Sequence, residues 1–191
     1  MPRRQSRCEH APLPDIWLLS DARNDAVLEQ VLAALPPGSG VVFRHYHLDN
    51  GARRARFAQV KAAADAKRHA VILSGDAALA MQWGAAGVYG PSARLGPQGG
   101  LLRLATAHDA AEIAAANDAR ASGVFLSPVF PTHTHPGAPA LGADEFHRLA
   151  GTSKVPVIAL GGMNAVRAAA LRWRRWGAID GLSHPAMSAA G

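Results

Sequence analysis

VFLSPVFPTHTHPGAPALGADEFHRLAGTSKVPVIALGGMNAVRAAALRWRRWGAIDGL, residues 124–182, holds three short apolar runs separated by a polar loop and by Ala-rich stretches of helical period. VFLSPVF (Val124–Phe130), VPVIAL (Val155–Leu160) and AIDGL (Ala178–Leu182) are rich in Val, Ile and Leu and too short for buried helices, so each reads as a buried strand. Between them the spacing predicts helices near Ala143–Ala150 and over Asn164–Trp176. A strand followed by a helix and then another strand is the pattern of a parallel sheet, because parallel neighbours need a crossover that also covers one sheet face.

The same alternation extends to the N-terminal side. IWLLS (Ile16–Ser20) precedes a helix over Asn24–Leu35, GVVFR (Gly40–Arg44) one over Gly51–Lys67, and HAVILS (His69–Ser74) one over Asp76–Trp83. GVYG (Gly87–Gly90) is followed by a Gly/Pro loop in place of a regular helix, and LLRLAT (Leu101–Thr106) by a helix over Asp109–Arg120. Eight such strands predict a small, single-domain α/β protein with the (β/α)8 TIM-barrel architecture, a doubly wound open sheet being the alternative. At 191 residues the chain lies just under the usual lower size of about 200, so helices and loops must be trimmed. Residues 1–14 read as an N-terminal tail open to disorder, and residues 15–191 as the barrel.

Composition narrows the function classes. Cys8 is the only cysteine, so neither a disulfide nor a cysteine metal clamp forms within the chain, and a reducing cytoplasm is the expected location. The basic start lacks a following apolar segment, and no run of about 18 apolar residues exists, so neither export nor membrane insertion is expected. The net charge is +6, but the basic runs at 3–7, 53–56 and 172–175 adjoin helical sequence without interleaved aromatics. An anionic small molecule is therefore the expected partner rather than nucleic acid. Trp173 and Trp176 fall on the last predicted helix as packing or interface residues, a homodimer being one assembly that would use them.

Reactive groups of such a barrel belong at strand C-termini. Thr132 and Thr134 lie in a loop stiffened by Pro131 and Pro136, and Gly161–Gly162 ends one strand where backbone N–H groups can approach an anion at the start of a helix. Together they predict a phosphate site. His45, His47, His133 and His135 crowd the same end, but the alternate pair His133 and His135 lacks an identifiable third ligand, so no metal ligand is assigned. In LATAHDAAE (Leu104–Glu112), Thr106 or Asp109 is placed to cap the next helix, with His108 at its first turn.

SPVFPTHTHPGA, VPVIALGGM and GAIDGL resemble, in order and spacing, the thiamin phosphate synthase/TenI family, from Ile16 to about Ala189. The resemblance implies a barrel that binds a thiazole phosphate, with Gly161, Gly162 and the last-strand loop at the phosphate and Thr132 and Thr134 near the thiazole. It implies two chemistries. Synthases join a pyrimidine pyrophosphate to the thiazole phosphate with magnesium, and TenI enzymes aromatise the thiazole by moving a proton.

Position by position, the synthase pattern is incomplete. Where the family has Arg-Glu-Lys for the pyrophosphate, this chain has Arg44-His45-Tyr46, keeping Arg44 as an anion ligand. Ser74-Gly75-Asp76 stands in place of Asn-Asp-Arg, and GPSAR (Gly90–Arg94) contains none of the carboxylate expected for magnesium. His135 replaces the signature Lys, and the phosphate serine aligns with Ala186, leaving Ser183 or Ser188 to substitute. A histidine at position 108 is the proton-transfer residue implied for the TenI branch. The expected site is therefore His108 as catalyst, with Arg44, Thr106, Thr132, Thr134, His135, Gly161, Gly162 and Ser183 for the substrate and its phosphate. No cofactor is required, magnesium entering only if the chain acts as a synthase. A divergent synthase and a non-catalytic precursor-binding barrel are the two alternatives.

Overall fold

A computed structural model describes residues 12–97, 99–132 and 139–182. The chain closes into a barrel of eight parallel strands in sequential order, β1 to β8. The strands are β1 (Ile16–Leu19), β2 (Gly40–Phe43), β3 (Ala70–Ser74), β4 (Gly87–Pro91), β5 (Leu102–Ala107), β6 (Gly123–Leu126), β7 (Val157–Ala159) and β8 (Trp176–Ala178). Among the described residues the α-helices are α1 (Leu28–Ala34), α2 (Asn50–Asp65), α3 (Ala77–Trp83), α4 (Ala110–Asp118), α5 (Gly142–Ala150) and α6 (Ala165–Ala170). Among the described residues the β4–β5 connection has, as expected, no α-helix but the 3-10 turn Ser92–Arg94, and Leu95 packs there, 1% exposed.

Strand alternation sorts the core into two layers. Trp17, Leu19, Val42, Ile72, Tyr89, Leu104, Phe125 and Ile158 fill the barrel interior, with Phe125 meeting Trp17 and Tyr89 edge-to-face at 5.6 and 5.2 Å. Residues of opposite parity, such as Leu18, Phe43, Leu73, Val88 and Leu126, join the helix faces in a larger outer layer. Each fully buried side chain of this kind contributes about 1.5–3 kcal/mol, so both layers matter to stability. Leu13 packs against the inner layer from below, and Pro14 O accepts the Trp17 indole N–H at 2.8 Å.

The last unit departs from the sequence reading. The helix expected over Asn164–Trp176 stops at Ala170, and Arg172 turns the backbone into the left-handed region at φ +52°. The last strand is Trp176–Ala178 rather than Ala178–Leu182, and it pairs with Ile16–Leu18 to close the barrel. Trp176 is consequently a strand residue, 5% exposed, and not a helix-surface residue. Trp173 packs edge-to-face on Phe146 at 5.1 Å and donates to Val157 O at 3.2 Å, so it docks the outer layer. The periodicity of LRWRRW fits a helix equally well; ring closure, a long-range constraint, decides for the strand.

Two of the three basic runs are engaged within the molecule. Arg53 lies over Trp83, Phe43 and Tyr46 at 5.6–5.8 Å and donates to Ser74 O at 2.6 Å, and Arg56 holds Asp25 and Glu29. Arg174 and Arg175 both face Asp15. Among the described residues no helix is long and apolar enough to cross a membrane.

Candidate functional site

The C-terminal ends of the strands carry a polar rim. Ser74 and Thr106, two residues beyond Ile72 and Leu104, continue the inward-facing series into the mouth. Tyr89 lies beneath them, and burial pushes its phenol up to about 12, keeping it protonated. From the loop after the neighbouring β2, the Tyr46 hydroxyl meets Ser74 Oγ at 2.5 Å.

His108 follows β5 at the rim, its side chain well exposed. Asp109 caps α4, accepting from Glu112 N at 2.9 Å, so Asp109 and not Thr106 fills the capping role. Glu112 reaches back to His108, accepting its backbone N–H at 2.6 Å and meeting its Nδ1 at 2.8 Å. A carboxylate only accepts, so Nδ1 carries a proton and donates. The sequence reading missed Glu112, although its place four residues after His108 and three after the cap is a legible signal.

Arg44 is at the mouth, but it is already paired. Its guanidinium donates to Asp21 Oδ2 at 2.7 Å and to Ser20 O at 2.9 Å. Burial by itself would raise the Asp21 carboxyl, yet hydrogen bonds and charge from Arg23, with charge from Arg44, hold it below the usual carboxylate range.

The loop after β6 and the turn after β7 come together as expected. Val129 N donates to Leu160 O at 2.8 Å and Phe130 N to Gly161 O at 3.1 Å, laying residues 129–132 over the glycine turn. Gly161 and Gly162 adopt φ of +92° and +62°, and a Cβ on Gly162 would sit 2.6 Å from Pro131 O. Gly181, in the loop after β8, approaches the same turn so closely that its Cβ would lie 2.1 Å from Met163 O. Among the described residues no carbonyl or side chain accepts from the N–H groups of Gly161, Gly162 or Met163, so the turn offers donors to an anion. Helix α6, with 6 residues, adds little dipole. Thr132 is half-buried beside this turn, while Thr134, His135 and Ser183 lie outside the described residues.

The positions expected to hold magnesium do not fit that ion. Asp76 Oδ1 caps α3, accepting from Leu79 N at 2.7 Å, and the chain from Gly90 to Arg94 contains no carboxylate.

Behind β1 and β2 lies a cluster that sequence spacing does not show. Asn24, 2% exposed, donates to Leu19 O and Ile179 O, both at 3.0 Å, and accepts from Asp21 N, tying the end of β1 to the end of β8. His45, 1% exposed, joins Ser20 Oγ to Asp25 Oδ1 through Nδ1 and Nε2, both at 2.8 Å.

Fold and mouth together define a (β/α)8-barrel protein whose polar groups converge on the C-terminal ends of its strands. The family profile described as thiamine monophosphate synthase, TMP-TENI, matches residues 17–179, which is most of the chain. The chain belongs to that family. Thiamine phosphate pyrophosphorylase from Pyrococcus furiosus shares the fold with a TM-score of 0.75 at 19% identity, over 90% of this chain and 88% of the other. The thiamine phosphate pyrophosphorylase of Bacteroides thetaiotaomicron gives a TM-score of 0.60 at 13% identity, over 86% and 81%. FabK from Thermotoga maritima gives 0.68 at 14% identity, over 88% of this chain but 58% of the other, so the architecture also serves other proteins. No curated sequence matches significantly.

Proposed function

We propose that the chain is a TenI-like thiazole tautomerase that moves a proton on a phosphorylated thiazole carboxylate without magnesium. The observation that carries this reading is the His108–Glu112 pair, an imidazole held through Nδ1 at 2.8 Å by a carboxylate one helical turn away. The pair leaves Nε2 to take a proton from one carbon of the substrate and return a proton to another, with no net change of protonation or oxidation state. Thr106 lies two residues inward on the same strand. The donor-rich turn at Gly161–Gly162, with Thr132 beside it, suits the phosphate. The synthase alternative has less support. A departing pyrophosphate needs concentrated positive charge, whereas Arg44 is neutralised by Asp21 and the usual magnesium carboxylates are replaced.

The test is turnover of the carboxylated thiazole phosphate tautomer by the full chain, with and without magnesium, alongside a synthase assay with pyrimidine pyrophosphate. Metal-independent aromatisation that falls by about 10²–10⁴-fold in His108→Ala supports the reading. Magnesium-dependent formation of thiamin phosphate would replace it with the synthase, and tight binding without either turnover with a non-catalytic barrel.

A further inference from the structure

Asp25, His45 and His47 each present a ligand atom at the C-terminal side of β1 and β2, and these three atoms all lie within 4.8 Å of one another. Two features of the chain create this convergence. His45 takes a left-handed backbone conformation, φ +40°, which costs of order 1 kcal/mol or more for a non-glycine residue. That turn, closed by Leu48 N donating to His45 O at 3.3 Å, brings the His47 ring to 5.2 Å from the His45 ring. Asp25 comes from the other side, as the first residue of the 3-10 turn before α1.

We infer that Asp25, His45 and His47 form a binding site for a first-row transition dication such as zinc. Two imidazoles and one carboxylate are the donor set such ions prefer, and this triad leaves further coordination positions open toward the solvent-exposed side, where His47 lies. Ligands around 2 Å from a tetrahedral ion stand a little over 3 Å apart, so side-chain adjustment of about 1 Å completes the geometry. The outer contacts suit the task. Ser20 Oγ is held by the Arg44 backbone N–H at 2.8 Å and meets His45 Nδ1, so its oxygen can accept a hydrogen bond from Nδ1–H when Nε2 turns from Asp25 to the ion. Arg56 donates to Asp25 Oδ1 at 2.7 Å and is also held by Glu29. Two carboxylates against one guanidinium leave the cluster with net −1 while the histidines are neutral, so the arginine does not reverse the attraction for a dication. The site is built from the ends of β1 and β2, whereas His108 follows β5, so it does not depend on the proton-transfer reading.

The experiment uses the untagged full chain, stripped with chelator and titrated with zinc by calorimetry and with cobalt(II) by visible absorption. One equivalent is expected to bind, with the absorption of a histidine-ligated, low-coordinate cobalt ion. His47→Ala, at an exposed position, should keep the circular dichroism of the parent and weaken binding at least about 100-fold. Asp25→Asn should weaken it as well. The double variant His133→Ala/His135→Ala should bind as the parent does. Absence of saturable binding in the parent, undiminished binding in His47→Ala, or loss of binding in the double variant would overturn the inference.

Discussion

Glu112 Oε2 lies 2.8 Å from His108 Nδ1 and 2.6 Å from the His108 backbone nitrogen, so one carboxylate both closes the start of α4 and fixes the imidazole tautomer. Glu112→Gln keeps the shape but can no longer stabilise the imidazolium that forms when Nε2 takes a proton. The expected outcome is a fall in kcat of about tenfold or more with KM little changed. Steady-state kinetics of the tautomerisation proposed above reads both. A cap lost without a catalytic role would instead lower thermal stability and leave kcat where it was.

The Asp21–Arg44 pair makes a prediction about acid. Asp21 titrates below its ordinary 3.8 in the folded chain, so the unfolded chain binds its proton first as pH falls. The stability this contributes is complete above the unfolded value and is lost as pH falls through the folded one. Asp21→Asn should therefore be less stable than the parent at pH 6, and the gap should close as pH falls from the ordinary 3.8 through the lower folded value. Urea midpoints measured across that range test the sign.

Gly162 is fixed by two independent constraints, φ of +62° and a Cβ position 2.6 Å from Pro131 O. Gly162→Ala adds left-handed strain of about 1–2 kcal/mol and a steric push of about 1–3 kcal/mol against the loop that carries Thr132. Thermal unfolding should show the loss of stability. Calorimetry with thiazole phosphate should show weaker binding, because the loop and the turn no longer meet.

Asn24 joins the two strands that close the ring. Asn24→Ala removes the side-chain donor to the buried carbonyl of Leu19 and to that of Ile179, and losing hydrogen bonds at such a buried site costs about 1–3 kcal/mol each. Denaturant unfolding should give a loss of about 2–4 kcal/mol. A smaller loss would mean that the closure between β1 and β8 is carried by the backbone ladder alone.

Strand sites were legible wherever a short Val/Ile/Leu run was bounded by Gly, Pro or polar residues, as at Val41–Phe43 or Val71–Leu73, because the signal for a doubly buried strand is local. The glycine turn and the Thr132 loop were legible as well, since only glycine accommodates both φ values there.

What the sequence by itself determined is the alternation of strand and helix, hence the barrel, and the family motifs at the strand ends. Both reside in patterns a few residues long, set by period and by the backbone freedom of glycine and proline. The tertiary structure alone decided where β8 begins, because its register answers to β1 across 160 residues of chain and not to its own periodicity. It alone decided that Arg44 is neutralised by Asp21, that Asn24 bonds to Ile179, and that Asp25 meets His45 and His47. Closing a ring brings the ends of distant strands within hydrogen-bond reach, and no spacing within the chain encodes which of their side chains will then face each other.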